Sequence, residues 1–333
     1  MKTLKAMAVF ALALLITLIT GCGKSESGGD SSSGNKPSAK AKKVIGISVM
    51  TTTNPFFDVL AKAAKEEAEK HGYEVIIFSG DKDISKQAKQ VRDFITQKVD
   101  AIILSPVNTQ AIGAPIKEAN AAGIPVFTAD TGCADKTAKV ISNITTDNYD
   151  GGKLAGKGMI EALDGKGGKV LILDFKEAQS CILRVKGFKE VIEEYNSKNP
   201  NAKIEIVAEM AGKASEEPSK KVTEDQLNAN PDLAGIFAIN DPSALGAVVA
   251  LKQAGKLQQV KVIAFDGMPR GKMAIKKGEI FAEPVQFPRE IGRMSVQKII
   301  EYKKGMEVKP EVLIPTKLYY KADADKDPEL EGK

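Results

Sequence analysis

The sequence contains a single histidine, three cysteines and no tryptophan among its 333 residues. One histidine leaves little for acid–base chemistry, and no nucleophile–base pair or metal-ligand spacing is visible. That residue, His71, precedes Gly72 at the end of a predicted helix, where a solvated cap is the favoured interpretation. These absences predict that the protein is not an enzyme and has no metal ion or cofactor.

The sequence signatures of dinucleotide-binding enzymes and of DNA-binding proteins are also missing. No Gly-x-Gly-x-x-Gly follows the first predicted strand, and the glycine-rich segment 165–168 precedes a strand instead of opening a helix. The net charge of +5 is spread over interspersed residues with no basic stripe, which excludes a nucleic-acid surface. A sugar-responsive repressor would need an N-terminal helix-turn-helix, and this chain begins differently.

The N-terminus has the pattern of an export signal. Lys2 and Lys5 form a short positive region, and an almost wholly apolar run extends from Ala6 to Thr20. That run is too short for a stable membrane span. Residues 1–21 are therefore predicted to be a signal peptide that directs the protein out of the cell interior.

Cys22 follows the apolar run directly, and the four residues that end at it resemble a lipobox. We expect Cys22 to become the lipidated N-terminus, since several acyl chains hold a protein durably on a membrane. The alternative is an ordinary signal peptide that happens to contain a cysteine. Residues 22–42, rich in Gly and Ser, predict a lipidated flexible tether in the cell envelope, in the periplasm or on the outer face of the membrane.

From Val44 onward, short β-rich runs alternate with helical patterns. This alternation predicts parallel strands joined by right-handed crossovers, hence an α/β fold. Two doubly wound series, before and after Asp147, fill most of the chain, and the elements after Ile280 are too few for a third. The last of these elements is predicted as one strand from Val312 to Tyr319. The chain should therefore cross between two lobes more than once.

Short polar residues follow most of the predicted strands. In an open parallel sheet, ligands bind beyond the carboxyl ends of the strands. Amides, hydroxyls and carboxylates there can donate to and accept from many hydroxyl groups. The pattern indicates a hydroxyl-rich ligand between two lobes. The residues are Thr51 to Asn54, Ser105-Pro106, Asp130-Thr131, Asn240-Asp241, Asp266-Gly267 and Gln286.

Seven motifs occur in a fixed order along the chain. They are Thr53-Asn54-Pro55-Phe56-Phe57, Asp130, Asp147-Asn148 with Gly151-Gly152, Arg184-Val185-Lys186-Gly187-Phe188, Phe237-Ala238-Ile239-Asn240-Asp241, Ala264-Phe265-Asp266-Gly267 and Gln286-Phe287-Pro288. In these motifs the chain resembles the ribose-type periplasmic sugar-binding proteins of ABC transporters, from Lys43 to Tyr320. Each motif alone is weak, but their order and spacing together are specific.

The resemblance implies two Rossmann-like doubly wound lobes joined by three hinge strands, with a sugar bound between them. It implies an N-terminal lobe of residues 43–145 plus 287–313 and a C-terminal lobe of residues 146–286 plus 314–333. The implied function is capture of a monosaccharide or polyol by hinge closure and its delivery to an ABC permease in the membrane. A monomer is expected. The alternative is a sugar-sensing subunit that feeds a receptor kinase or chemoreceptor.

The family's ligand contacts correspond to nine positions of this sequence. They are Asn54, Phe56, Phe57, Asp130, Thr131, Arg184, Asn240, Asp266 and Gln286. Aromatic rings suit the C–H face of a sugar, and carboxylate and guanidinium groups form strong hydrogen bonds with its hydroxyls. Other interpretations remain for five of these positions: Phe56 and Phe57 as a core pair, Asn54 as a helix cap only, Arg184 as a solvated helix residue and Asp266 as part of a turn.

Three departures from the pattern bear on the ligand. Met50 replaces a small polar residue before the threonine run. Thr131 stands where ribose binders carry arginine, and no aromatic residue occurs around Ala214. These departures predict a pocket without that cation and without that stacking face. The ligand therefore stays open among a ribose-like pentose, another sugar and a polyol.

Cys133 and Cys181 are the two cysteines beyond Cys22. Export makes a disulfide chemically possible. However, the two residues fall in different predicted lobes, and a bond across the cleft would impede closure. Two separate thiols are the favoured interpretation.

Overall fold

The structure is a computed structural model that describes residues 42–331. The predicted signal peptide, Cys22 and nearly all of the predicted tether lie outside the described residues. Among the helices that the structure describes, none is long and apolar enough to cross a membrane.

Twelve strands are present in the described part of the chain. They are β1 (Lys43–Val49), β2 (Tyr73–Ser79), β3 (Ala101–Leu104), β4 (Val126–Ala129), β5 (Asn143–Thr146), β6 (Gly168–Asp174), β7 (Ile204–Ala211), β8 (Leu233–Ala238), β9 (Lys261–Ile263), β10 (Ala282–Val285), β11 (Glu311–Ile314) and β12 (Lys317–Tyr320).

Ten α-helices separate or follow these strands within residues 42–331. They are α1 (Pro55–Lys70), α2 (Ile84–Thr96), α3 (Gly113–Ala121), α4 (Asn148–Ala162), α5 (Gln179–Lys198), α6 (Glu216–Ala229), α7 (Asp241–Gln253), α8 (Pro269–Lys276), α9 (Pro288–Lys303) and α10 (Lys321–Ala324).

The strands form two six-stranded sheets. The first has the order β11-β5-β4-β3-β1-β2 with all strands parallel, and the second has the order β12-β10-β9-β8-β6-β7 with only β12 antiparallel. We call each sheet with its packed helices the first and the second lobe. Ile45, Ile47 and Val49 are fully buried, as expected for a parallel strand covered on both faces. The predicted α/β fold with two doubly wound lobes is confirmed.

The chain passes from one lobe to the other three times. The crossings follow β5, follow β10 and lie between β11 and β12. Helix α9 returns to pack against α1 of the first lobe, whereas α4 packs against α5 of the second. Both lobes are therefore discontinuous in the sequence.

Three details of the element prediction are wrong. Val312 to Tyr319 is not one strand, since the chain leaves the first sheet after Ile314 and joins the second at Lys317. Pro315 lies in this gap, and proline supplies no N–H to a strand ladder. Strand β5 and helix α8 are short elements with weak apolar patterns, and the sequence analysis did not predict either of them.

Candidate ligand-binding cleft

A cavity lies where the carboxyl ends of strands from both sheets face each other. It encloses about 400 Å³ of atom-free space, including the part that is open to solvent. Its wall is made of residues that follow β1, β2, β4, β6, β7, β8, β9 and β10, together with the start of α1 and α5. The lining residues are Met50, Thr51, Asn54, Phe56, Phe57, Lys82, Asp130, Phe175, Ala178, Ser180, Cys181, Arg184, Ala214, Asn240, Asp266 and Gln286.

Asn54 has two roles in the structure. Its side-chain oxygen accepts a hydrogen bond of 3.0 Å from the backbone N–H of Phe56, so it caps α1. Its side-chain amide also reaches across to Asp266, with 3.5 Å between Nδ2 and Oδ2. The capping interpretation is therefore correct, and Asn54 lines the cavity as well.

Phe56 and Phe57 both line the cavity and are both buried. Their ring centroids lie 5.2 Å apart with planes at 85°, an edge-to-face arrangement that fixes each ring against the other. Core packing and cavity lining are thus combined in the same pair. The rings provide an apolar patch in an otherwise polar cavity.

Asp130 carries an unpaired oxygen into the cavity. Its backbone has a φ of 71°, in the left-handed region that non-glycine residues seldom adopt. It is 4 % exposed, and its Oδ1 has no hydrogen-bond partner. Burial raises the pKa of Asp130 to about 7, although the nearby Arg184 acts in the opposite direction. An orphaned carboxylate oxygen of this kind calls for a donor from a ligand.

The second lobe holds the guanidinium of Arg184 in place without a ligand. Its guanidinium donates to the Asn148 side chain at 2.8 Å, to the Ile239 carbonyl at 2.7 Å and to Asp266 at 3.2 Å. The guanidinium carbon lies 3.8 Å from the centroid of the Phe265 ring, within cation–π range. Arg184 is 3 % exposed, so the solvated interpretation is wrong.

Two glycines bring α4 and α5 together at this point. A Cβ on Gly152 would lie 2.1 Å from the carbonyl oxygen of Arg184, and one on Gly187 would lie 2.1 Å from that of Tyr149. Only glycine therefore permits this approach of the two helices. The close contact sets the distance from Arg184 to Asn148, and hence the direction of the guanidinium.

Asp266 is the central acceptor of the second lobe. Besides the bond from Arg184, Asp266 accepts a hydrogen bond of 2.6 Å from Gln286 Nε2. The side-chain oxygen of Gln286 in turn accepts a hydrogen bond of 2.7 Å from the Thr146 hydroxyl. Burial raises the pKa of Asp266, and Arg184 opposes that increase. Asn240 accepts from the N–H of Ser243 at 3.0 Å and so caps α7, which leaves its side-chain amide for the cavity. Asp266 is thus more than a turn residue.

The ionisable residues of the cavity include two basic and two acidic side chains. Lys82 and Arg184 are cationic, whereas Asp130 and Asp266 carry carboxyl groups. The Cys181 thiol is neutral, since burial raises its pKa to about 12. A polar cavity with acidic and basic groups in equal number suits an uncharged ligand rich in hydroxyls, which can both donate and accept hydrogen bonds.

Eight of the nine predicted contact residues line this cavity, and Thr131 does not. Thr131 lines an adjacent cavity, and its Oγ1 accepts from the backbone N–H of Ser180 at 3.3 Å. That bond runs from the first lobe to the start of α5. Thr131 therefore connects the two lobes beside the cavity. Its short side chain does not reach the cavity itself, because its hydroxyl oxygen is bonded to the N–H of Ser180.

Lys82 and Phe175 are among the lining residues that the sequence analysis did not predict as contacts. Lys82 follows β2 and Phe175 follows β6. The residues after these two strands were not considered in the sequence analysis. Lys82 adds a cation besides the predicted Arg184, and Phe175 adds a second-lobe aromatic ring at a position other than Ala214. The cation comes from a first-lobe loop, and the ring lies directly after β6.

The described cysteines are not bonded to each other. Cys133 is half-buried and Cys181 is buried, and both are free, which confirms the interpretation as separate thiols. No group of three or more His, Cys, Asp and Glu residues between Lys42 and Glu331 could hold a metal ion.

A buried acid pair, Asp241 and Glu283, lies behind the second-lobe side of the cavity. Asp241 accepts a 2.8 Å hydrogen bond from the Met268 N–H, but its Oδ1 and both oxygens of Glu283 have no partner of hydrogen-bonding geometry. Burial raises the pKa of Glu283 to about 7 and raises that of Asp241 well above its ordinary value. The two groups therefore favour sharing a proton over carrying two charges.

Two doubly wound lobes with a polar cavity between them define a ligand-binding protein of the periplasmic type. Comparison with known sequences agrees with that class. The chain belongs to the periplasmic binding protein family, since the model of the "Periplasmic binding protein domain" matches residues 45–307.

Three relatives illustrate the range of the family. The chain is 33 % identical over 317 residues to the ribose import binding protein of Bacillus subtilis, covering 94 % of this chain and 98 % of that protein. It is 33 % identical over 290 residues to the D-apiose import binding protein of Paraburkholderia graminis, covering 86 % and 90 %. A Bacillus halodurans solute-binding protein of an ABC transporter, solved with myo-inositol, has a TM-score of 0.77 at 28 % identity, with 86 % and 96 % covered. These relatives are transporter binding proteins and not enzymes.

Proposed function

We propose that this protein is the lipid-anchored solute-binding component of an ABC importer and captures a monosaccharide or a cyclic polyol in the cleft. The unpaired, buried oxygen of Asp130 in a polar cavity is the observation that carries the proposal. The ribose, D-apiose and myo-inositol proteins among its relatives support the same ligand class.

The proposed contacts divide by chemistry. Phe56 and Phe57 would lie against C–H groups, where burial is favourable without a polar partner. Asp130 would accept from a hydroxyl, whereas Arg184 and Asp266 would donate and accept in charge-assisted bonds. The remaining proposed contacts are Asn54, Asn240 and Gln286.

Capture would proceed by hinge closure. The ligand would bind one lobe of an open form, and rotation about the three crossings would bring the other lobe onto it. We assign residues 43–145 plus 287–313 to one rotating body and 146–286 plus 314–333 to the other. A membrane permease would then recognise the closed surface.

Isothermal calorimetry tests the ligand class, with D-ribose, D-apiose and myo-inositol as probes. At least one should bind, and Asp130→Ala and Asn240→Ala should each weaken that same ligand although the two residues lie on different lobes. Losing a buried hydrogen-bond partner costs about 1–3 kcal/mol, or roughly five- to a hundredfold in affinity. Asp225→Ala, at an exposed α6 position, is the matched control.

Wild-type protein that binds no monosaccharide or polyol in a wider panel would refute the ligand class. Alanine variants with wild-type affinity would instead refute the cleft assignment. Chemical conversion of the sugar during the titration would show that the protein is an enzyme and not a binding protein.

The anchor is tested separately in the native host. Cys22→Ser should release the protein from the membrane or leave the signal peptide uncleaved. Mass spectrometry of the wild-type protein should find an acylated N-terminal Cys22. A soluble, unacylated wild type would show that the leader is an ordinary signal peptide.

A further inference from the structure

Lys82 makes three hydrogen bonds to a single loop of the opposite lobe. Its ammonium donates to the carbonyl oxygens of Lys213 at 2.8 Å and Ala214 at 3.1 Å, and to Ser215 Oγ at 2.6 Å. An ammonium has three N–H donors, so all of them are used. Its charge also lies 5.8 Å from the centroid of the Phe175 ring, again on the second lobe.

Both loops that meet here are shaped for the contact. Asp81 and Lys82 have φ of 51° and 59°, and Lys213 and Ala214 have φ of 51° and 48°, all in the left-handed region. Such backbone is unfavourable for residues other than glycine and persists only where the surroundings impose it. Two consecutive left-handed residues therefore occur on each side of the same bridge.

Each loop is also fixed to its own lobe. The Lys82 N–H donates to the Met50 carbonyl at 3.0 Å, and Asp83 caps α2. Across the cleft, the Gly212 N–H donates to the Asp174 carbonyl at 3.1 Å. Because the loops move with their lobes, the Lys82 bonds would break whenever the lobes separate.

The bonds leave Lys82 no donor for a ligand, although it lines the cavity. We propose that Lys82 is a positioning residue that bridges the lobes over the bound ligand and slows its release. The slowed release of a ligand rests on the proposed function, whereas the bridge between the lobes does not. The bridge stabilises the closed arrangement with or without a ligand. During capture, it closes behind a ligand that has entered the open form.

The kinetic test uses whichever of D-ribose, D-apiose and myo-inositol binds the full-length mature protein most tightly. In Lys82→Met, which keeps the length of the stem beside Phe175, the dissociation rate should rise about tenfold or more. Hydrogen bonds to charged groups are stronger than those between neutral groups, and their loss acts mainly on dissociation. The association rate should therefore change less than about twofold. Lys82→Arg should restore part of the slow release, because a guanidinium also donates to carbonyl oxygens.

Lys86→Met is the matched control, since Lys86 is an exposed lysine on α2 that pairs only with Asp81 on its own lobe. It should release the sugar at the wild-type rate. An unchanged dissociation rate in Lys82→Met, or a loss of affinity carried by slower association, would overturn the bridge. Thermal unfolding of each variant checks that the fold is retained.

A second measurement requires no sugar. Small-angle X-ray scattering of the ligand-free proteins should give a larger radius of gyration for Lys82→Met than for the wild type and Lys86→Met. If no sugar binds at all, the ligand proposal fails and the scattering alone decides the bridge. Equal radii would then overturn it.

Discussion

The two sides of the cleft differ in how completely they are satisfied without a ligand. We call Asn54, Phe56, Phe57 and Asp130 the first-lobe wall, and Arg184, Asn240, Asp266 and Gln286 the second-lobe wall. In the second-lobe wall, the polar side chains bond to one another or to backbone, with Asp266 accepting from both Arg184 and Gln286. In the first-lobe wall, Asp130 Oδ1 has no partner.

This difference separates two kinds of contribution to binding. The second-lobe wall is preorganised, so its groups are already oriented when a ligand arrives and little ordering is lost. The first-lobe wall contains a buried acceptor that only a ligand or the solvent can satisfy. Substitutions in the second-lobe wall should therefore damage folding and binding together, whereas substitutions at Asp130 should damage binding alone.

The largest effect is expected for Arg184→Met. It leaves Asp266 and Asn148 buried without their cationic partner, and breaking a buried ion pair from one side costs about 3–5 kcal/mol. Urea unfolding should show that loss, and calorimetry should show no measurable sugar binding. Arg289→Met removes an exposed pair with Glu66 and should cost less than about 1 kcal/mol. Equal stability of the two variants would erase the distinction between the walls.

Asp130→Asn should separate binding from stability. No hydrogen bond of the carboxylate is lost, and a neutral amide is buried more easily than a charge, so the urea midpoint should not fall. Affinity for the sugar should fall about ten- to a hundredfold, because the amide replaces an acceptor with a donor at one oxygen position. A destabilised variant with intact affinity would reverse the comparison.

The acid pair behind the second-lobe wall predicts a dependence of stability on pH. The pKa of Glu283 is about 7 in the folded protein, above its ordinary value of 4.5, so the folded state holds the proton more tightly. This contribution is fully present below about pH 4.5 and declines as the pH rises towards 7, by about 1.4 kcal/mol for each unit of pKa shift.

Glu283→Gln, which mimics the protonated acid, should therefore lose less stability than the wild type between pH 5 and pH 8. Urea unfolding at both values measures the difference, and Glu217→Gln at an exposed position of α6 is the control. A wild type and a Glu283→Gln variant with parallel pH profiles would show that Glu283 is ionised without cost.

The smallest effect is expected for the cysteines. Cys133→Ser with Cys181→Ser should change sugar affinity by less than about threefold, because neither sulfur bonds the other and the buried Cys181 thiol is neutral. Calorimetry measures the affinity. Thiol titration of the wild type, unfolded without reductant, should find both groups free, and a bonded pair in native protein would contradict the structure.

Local patterns predict the parts of the site that depend on strand ends. Asn54, Asp130 and Asn240 each follow a strand, so their place in the cleft follows from the topology of a parallel sheet. The bonds of Arg184 to the Ile239 carbonyl and to Asp266 depend on how α4 and α5 pack, which no local pattern contains. Thr131 illustrates the converse, since its position beside Asp130 predicted a ligand contact and its hydroxyl instead accepts from α5.

The last crossing of the chain constrains the order in which the protein can be assembled. Strand β11, the edge strand of the first sheet, comes from residues 311–314, more than 160 residues after its neighbour β5. Synthesis of the chain therefore leaves the first sheet incomplete until almost its whole length has emerged. Pairing of strands that are far apart in the sequence is slow. A polypeptide that stays incompletely folded is a suitable substrate for an export channel. A circular permutant that keeps residues 1–42 at its front and then continues from residue 287 would supply β11 early, and should fold faster in the cell interior and be exported less efficiently.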